Sequence, residues 1–388
     1  MKKTLYLIIT ISFFAVSAHA QKYLKEENTT PEQQKEYVRI DLMPDDSLRL
    51  GWNRHFKLYK KTGNRVNLYF CNNYANEIIR RQNSFDPSLF WQLRDIARQY
   101  KDTISEEYGS TYAEEALYHF YKRNMEKSQQ LNAKAYSIYK KSEMESYVPL
   151  VNMAYKIAYI YEANNEYEKA RKYATLCIED AKKYNIPVLE SGSYIILTKM
   201  TKQSDPLLAI DLAKKGLKIA HENEGLFKQV KSNLYFYAVE ILINQQSDKQ
   251  MTINMADSAI HYAKVSKHRM GLIERKLHKA VVLSNFSELK KANKIIKEVE
   301  IQIQDDFYKN DAQHYTHLQQ IGYAYEQVGK DKKAQDFYEK SLNEFLNNSP
   351  DKDYKDYCII TNGLLSLYLT NNKFHKFDSI YTANKNKY

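Results

Sequence analysis

The chain has 388 residues and a formal charge of +11, from 58 Lys and Arg against 47 Asp and Glu. Only 10 residues are Gly, well under the usual share of roughly 7%, which argues against folds that depend on left-handed turns or Gly-rich phosphate loops. The 34 Tyr and 15 Phe exclude disorder by composition, and the length admits two ordinary domains or one elongated repeat array.

Residues 1–20 read as a secretory signal peptide. Lys2 and Lys3 form a positive start, Leu5 to Val16 is mostly apolar, and Ala18-His19-Ala20 is a small-x-small cleavage site before Gln21. The apolar stretch is shorter than the roughly 20 residues that span a bilayer, and no Cys follows the site to take a lipid. Cleavage near Ala20 would leave +9 on a periplasmic or secreted protein. No later stretch approaches a transmembrane span, so no transmembrane anchor is expected. Cys71, Cys177 and Cys358 are odd in number and widely spaced, which is neither a disulfide framework nor a zinc pattern. They read as buried thiols, with one disulfide plus a free thiol as the alternative in an oxidising compartment.

Residues 21–103 read as an irregular N-terminal helical region. Thr30-Pro31-Glu32-Gln33 is an N-cap, a first-turn Pro and an acidic first turn, which predicts a short helix to about Asp41. Asp46 or Ser47 is expected to cap a second helix with Leu48, Trp52, Phe56 and Tyr59 on one face, ended by Gly63-Asn64. Asn67 to Arg81 reads as a third. Asp86-Pro87 opens a fourth, with Phe90, Leu93, Ile96 and Ala97 on one side.

From residue 104 to 388 one unit recurs. Its clearest copy holds small residues at Gly322, Ala334 and Ser341, with a turn near Gly329-Lys330. Two antiparallel helices pack closely only where the crossing residues are small, and the larger Tyr side chains fill the space beside them. The same gaps of 12 and 7 recur at Ala116, Ser128 and Ala135, and at Ala158, Ala170 and Cys177. They recur with one larger member at Leu197, Ala209 and Gly216, and at Ala280, Ala292 and Val299. Ala238, Ala256 and Ala263 fit if the turn around Gln245–Thr252 is six residues longer, and Leu365, Phe377 and Asn384 form a degraded last copy. Seven units at a period of about 41 are the mark of a solenoid. A coiled coil would need sustained heptads, but breaks at Asn164-Asn165, Gln203–Pro206, Asn285 and Gly329 cut the chain into hairpins.

The unit Ile321, Gly322, Tyr325, Ala334, Tyr338 and Ser341 resembles the tetratricopeptide repeat, and Ile157, Ala158, Tyr161, Tyr167, Ala170 and Cys177 match nearly as well. The resemblance covers about Thr103 to Tyr388. It departs from the family in its longer period, against the usual 34, and in having Leu318 and Leu346 where the pattern has Trp and Pro. It implies an all-α fold, a right-handed αα-superhelix of antiparallel helix hairpins, exported here by the signal peptide.

Catalytic signals are absent from the sequence. There is no Gly-rich dinucleotide or phosphate loop, no His-Glu-x-x-His and no Gly-x-Ser-x-Gly elbow. Carboxylates mostly neighbour Lys, as solvated helix charges do. His314 and His317, with Asp311 one turn before, could hold a metal but lack a fourth ligand, so no metal and no cofactor is expected. Basic residues are dispersed among acids and no nucleic-acid motif is present, so no nucleic-acid partner is expected.

What such a fold does is bind. The resemblance implies that the first helix of each hairpin lines a concave face. Register then points Asn152, Tyr155, Tyr159, Tyr194, Tyr235, Gln319, Tyr323 and Gln327 inward. Tyr suits contact, with a large ring, few rotors and one polar tip, and equally suits packing between hairpins. This set is not basic, so no carboxylate clamp is expected, and a protein or peptide partner is. A sensory module acting through a separate membrane signalling partner is the alternative. An enzyme seated in residues 21–103, around Trp52, His55 and Trp91, is the third reading and has no recognisable constellation behind it.

Overall fold

The breaks between apolar stretches are helix ends. In the computed structural model, the described residues are 30–33, 40, 43–82, 85–122, 124–142, 147–223, 227–245, 248–266, 269–309, 314–348 and 354–387. Residues 1–20, the expected signal peptide, and most of the first expected helix lie outside them. Of that helix, the Thr30 cap is present. Gln33 N–H donates to Thr30 Oγ1 at 3.3 Å, and Thr30 N–H donates to Gln33 Oε1 at 2.9 Å, a reciprocal capping box.

The described residues are all-α, without a strand, and fall into two compact units divided after Asn223. The first holds α1 (Asp45–Thr62), α2 (Arg65–Gln82), α3 (Ser88–Gln99), α4 (Glu106–Tyr121), α5 (Met125–Tyr139), α6 (Val148–Ala163), α7 (Tyr167–Lys183), α8 (Pro187–Thr201) and α9 (Pro206–Glu222). The second holds α10 (Lys228–Asn244), α11 (Lys249–Val265), α12 (Arg269–Asn285), α13 (Leu289–Gln302), the single turn α14 (Asp306–Lys309), α15 (His314–Gln327), α16 (Asp331–Asn348), α17 (Tyr354–Thr370) and α18 (Phe374–Lys387). Hairpin partners are α1/α2, α4/α5, α6/α7 and α8/α9 in the first unit, and α10/α11, α12/α13, α15/α16 and α17/α18 in the second. Each hairpin packs on the next within its unit, as α5 does on α6 and α16 on α17. Such serial packing is the architecture of an α-solenoid.

The first unit begins before the repeats. α1 starts at Asp45 behind Pro44, not with an Asp46 or Ser47 cap; both aspartates lie in the first turn, where carboxylates favour the helix dipole. Gly63 ends α1 at φ 64°, its N–H donating to the Tyr59 carbonyl at 2.8 Å. α2 packs on α4, and α3 lies against α1 and α4. There Arg94 and Glu115, 4% and 1% exposed, form a buried ion pair. Arg94 lies against the Tyr112 ring at 4.2 Å, and Trp91 Nε1 donates to the same carboxylate at 3.2 Å.

The repeat turns use residues other than Gly. Asn165, Ser287 and Asn372 stand in the left-handed region at φ 61°, 61° and 57°, as Gly329 does at 70°. At each turn the next N–H closes back five residues, as Lys330 does to the Tyr325 carbonyl at 2.9 Å and Glu166 to that of Tyr161 at 2.9 Å. This is the Schellman closure, which satisfies a carbonyl that the helix end leaves over. Between α10 and α11 the longer spacing from Ala238 to Ala256 was expected as loop. It is mostly helix: α11 starts at Lys249 and carries about one extra turn before Ala256.

The small residues at the crossings have two uses. Ala116, Ala158, Ala170, Ala280 and Ala292 are completely buried and let the helix backbones approach. Where the small residue is polar it also bonds across. Ser341 Oγ donates to the Tyr315 carbonyl at 2.6 Å, and Cys177 Sγ to that of Val151 at 3.4 Å. Ser191 and Ser232 do the reverse, from first helix to second, reaching Gly216 and Ala259 carbonyls at 2.8 and 2.9 Å. Cys177 and Cys71 are buried and unbridged, and burial pushes the Cys177 thiol up to about 12. Cys358 is half-buried.

Aromatic clasps join hairpins in the second unit. Tyr325 on α15 donates to Glu300 on α13 at 2.5 Å, with Lys333 over its ring at 4.7 Å. One hairpin on, Tyr368 donates to Glu339 at 2.8 Å, with Lys376 over its ring at 5.6 Å.

Candidate functional site

In each hairpin the first helix carries the residues that register points inward, and the two units treat that helix differently. α6 reads VPLVNMAYKIAYIYEA, apolar in every direction, and a helix of that kind is buried on all sides. Asn152, Tyr155 and Tyr159 are accordingly 5%, 1% and 2% exposed, and Tyr194 on α8 is 8% exposed. Asn152 Oδ1 has no hydrogen-bond partner among the described residues. These four offer almost no surface to a partner in this structure.

Polar groups in this unit pair with one another. Asn76 Nδ2 donates to Glu114 Oε2 at 2.5 Å, and Lys156 lies near the same carboxylate. Burial raises the Glu114 carboxyl and lowers the Lys156 ammonium, each opposed by the charge of the other. Lys199 on α8 reaches Glu162 on α6 at 2.7 Å. Lys156, Asn132, Phe120 and Ile160 border a cavity of about 30 Å³, which holds a water or two and no larger ligand.

The second unit is open on this side. Tyr235 is half-buried and stacks parallel to Tyr262 of α11 at 5.9 Å, so it packs within its own hairpin. Gln319 and Gln327 are half-buried, and Tyr323 is 45% exposed. Of the eight expected residues, Gln319, Tyr323 and Gln327 are brought together on α15 with surface to offer. Partial burial raises the Tyr323 hydroxyl, and the carboxylates of Glu326 and Glu240 raise it further. Glu240 belongs to α10, with α12 between it and α15.

Sequence reading missed the rest of this surface. Phe236 on α10 meets His278 on α12 with ring centroids 4.5 Å apart. Arg275 lies over Phe236 at 4.1 Å and is tied down by Glu274 at 2.6 Å and Asn233 at 2.6 Å. Phe236, His278 and Gln320 each stand two residues before the small lead residues Ala238, Ala280 and Gly322. That recurrence was the available signal. His314 and His317 serve neighbouring helices: His314 Nδ1 contacts Glu344 at 2.9 Å, and His317 lies buried with Nε2 3.5 Å from Met270 Sδ. Asp311 lies outside the described residues. Among those described, no three His, Cys, Asp or Glu cluster as a metal site, and no helix is long and apolar enough to cross a membrane.

The class is thus a tetratricopeptide-like helical-repeat fold. No protein-family model and no curated protein matches the chain. Solved structures do. Aspartyl phosphate phosphatase F from Bacillus subtilis is similar over 91% of this chain and 87% of its own, at TM-score 0.54 and 17% identity. A Rap protein complexed with competence and sporulation factor is similar over 85% of this chain and 99% of its own, at TM-score 0.43 and 11% identity. A Signal Transduction ATPase with Numerous Domains from Pyrococcus horikoshii, bearing a tetratricopeptide repeat sensor, gives TM-score 0.48 and 14% identity over 90% of this chain and 57% of its own. The first likeness supports the fold assignment, and at such identity it concerns the fold alone.

Proposed function

We propose that this chain is an exported, non-catalytic scaffold that holds a protein or peptide against the first helices of its second unit. The observation that carries the reading is Tyr323: a large aromatic left 45% exposed on a first helix, between half-buried Gln319 and Gln327. Exposed Tyr flanked by adaptable amides is a composition suited to contact. Export rests on Lys2, Lys3, the apolar stretch and Ala18-His19-Ala20. It predicts that the mature protein recovered from cells begins at Gln21.

Site-specific photo-crosslinking tests the binding surface. A photoreactive residue at Gln319 or Gln327 should give an adduct with the same partner in native envelopes. The same residue at exposed Lys294, on second helix α13, should give none. Adducts from Lys294 alone would reject the proposed face. Tyr155 and Tyr159 are poor choices for this purpose, since replacing side chains so buried disturbs packing first.

A further inference from the structure

One row of cations in the second unit has no use inside the fold. In α13, Ala292, Ile296 and Val299 are completely buried. Helix geometry puts Lys290, Lys294, Lys297 and Ile301 on the opposite side, within about 60° of arc and along about 16 Å of axis. All four are exposed, Ile301 at 74%. None of the three lysines makes an ion pair, hydrogen bond or ring contact among the described residues. The cations beside them are engaged. Lys291 and Lys249 hold Glu288 at 3.0 and 2.7 Å, Lys333 is 3.4 Å from Glu300, and Lys330 reaches Asn293 at 2.6 Å. Glu298 is the exposed carboxylate next to the row in helix register, so three lysines against one acid leave the face positive. The helix gains nothing from this row. Lys290 stands in the first turn, where the dipole disfavours a cation, and Lys290 and Lys294 are like charges one turn apart. Nor is the row a habit of the repeat: the same register in α11 is Asn254, Ser258, His261 and Val265, and in α16 it is Lys332, Asp336, Glu339 and Asn343.

We propose that the outward face of α13 docks on an anionic phospholipid surface, with Lys290, Lys294 and Lys297 at the headgroup phosphates and Ile301 at the acyl boundary. Charge complementarity calls for an anionic occupant. Ile301 selects among anions: a lipid layer takes ammonium groups and an apolar side chain from one row, whereas a soluble polyanion leaves Ile301 in water. A row that stands out from the unit, opposite its own buried residues, meets a broad surface without needing a groove. The proposal goes beyond the scaffold reading and is independent of it, since it uses a second helix and another kind of partner.

Vesicle sedimentation of the full mature chain is the test. The chain should sediment with vesicles of equal parts phosphatidylcholine and phosphatidylglycerol, less so as salt is raised, and not with phosphatidylcholine alone. Lys290→Gln/Lys294→Gln/Lys297→Gln should weaken partitioning about a hundredfold. Because the whole chain is basic, a control loses the same charge at exposed lysines off the row: Lys214→Gln/Lys264→Gln/Lys332→Gln should weaken it by less than about tenfold. Ile301→Ser should weaken it about fivefold while leaving the affinity for soluble inorganic polyphosphate unchanged. Thermal melting checks that each variant is folded. No sedimentation with the anionic vesicles, or equal losses from the row and control variants, would overturn the proposal. Unchanged vesicle binding by Ile301→Ser would overturn the lipid assignment, and polyphosphate binding lost with the row would then name a soluble polyanion in its place. None of these results touches the Tyr323 face, which the crosslinking experiment judges separately.

Discussion

The ring of Tyr338 occupies the space that a side chain on Gly363 would need. A Cβ at Gly363 would lie 2.6 Å from the Tyr338 Cζ, and one at Gly322, against the same ring, 2.9 Å from Cδ1. Tyr338 is 1% exposed and anchored through its hydroxyl to Glu326, so it has little room to yield. Gly363→Ala should therefore destabilise the second unit by about 1–3 kcal/mol from overpacking, net of the roughly 1 kcal/mol that Ala gains in a helix. Gly322→Ala should cost less. Urea unfolding followed by circular dichroism measures both, and a stabilised Gly363→Ala would refute the tight contact.

The clasp between Tyr325 and Glu300 should behave as a coupled pair. Tyr325→Phe removes one hydrogen bond to a charged acceptor, for a loss of about 1–3 kcal/mol. Lys333, 45% exposed, adds a few tenths at most. A double-mutant cycle of Tyr325→Phe with Glu300→Gln should show coupling above about 0.5 kcal/mol. Additive single effects would mean that the two side chains do not act together.

Alkaline pH should weaken the second unit. Burial first, and then the carboxylates Glu300, Glu326 and Glu339, raise the hydroxyls of Tyr325, Tyr338 and Tyr368 well above the ordinary phenol. The unfolded chain releases these protons near pH ~10 while the folded chain keeps them. Their stabilisation is whole below that pH and is lost as pH climbs toward the folded values. Unfolding free energy measured upward from neutral pH should fall beyond ~10. The fall should be shallower in the triple Tyr→Phe variant, and an equal slope would contradict the assignment.

In the first unit, Arg94 and Glu115 form a buried ion pair that is costly to separate. Arg94→Met leaves the Glu115 carboxylate 1% exposed without its cation, a loss of about 3–5 kcal/mol. Adding Glu115→Leu should recover much of it, because the uncompensated charge is gone. Thermal melts of the two variants decide the order.

The hairpins were legible in the sequence because a steric rule leaves a local trace. Small residues must sit where helices cross, so Ala158, Ala170 and Cys177 announce one hairpin without reference to any other. The turns were legible for the same reason, in Asn165 and Gly329. Exposure along the first helices was not. Tyr159 and Tyr323 occupy the same register, yet one is 2% and the other 45% exposed. What covers them depends on three successive hairpins and on α6 being apolar all round. The Arg94–Glu115 pair and the Tyr325–Glu300 clasp were hidden likewise, since each joins residues of different helices with no spacing rule between them. The added turn of α11 shows a third limit: a longer gap in the pattern states how many residues are inserted and not whether they coil.

Each clasp spans two neighbouring modules, from α15 to α13 and from α17 to α16. A load applied at the C-terminal end would meet Tyr368 and Glu339 before it reached Tyr325 and Glu300. Rupture should then travel stepwise through α17/α18 and α15/α16, each step marked by one phenol leaving its carboxylate, so that α15 with Tyr323 comes away at the second step while α10 and α12 still hold their shape.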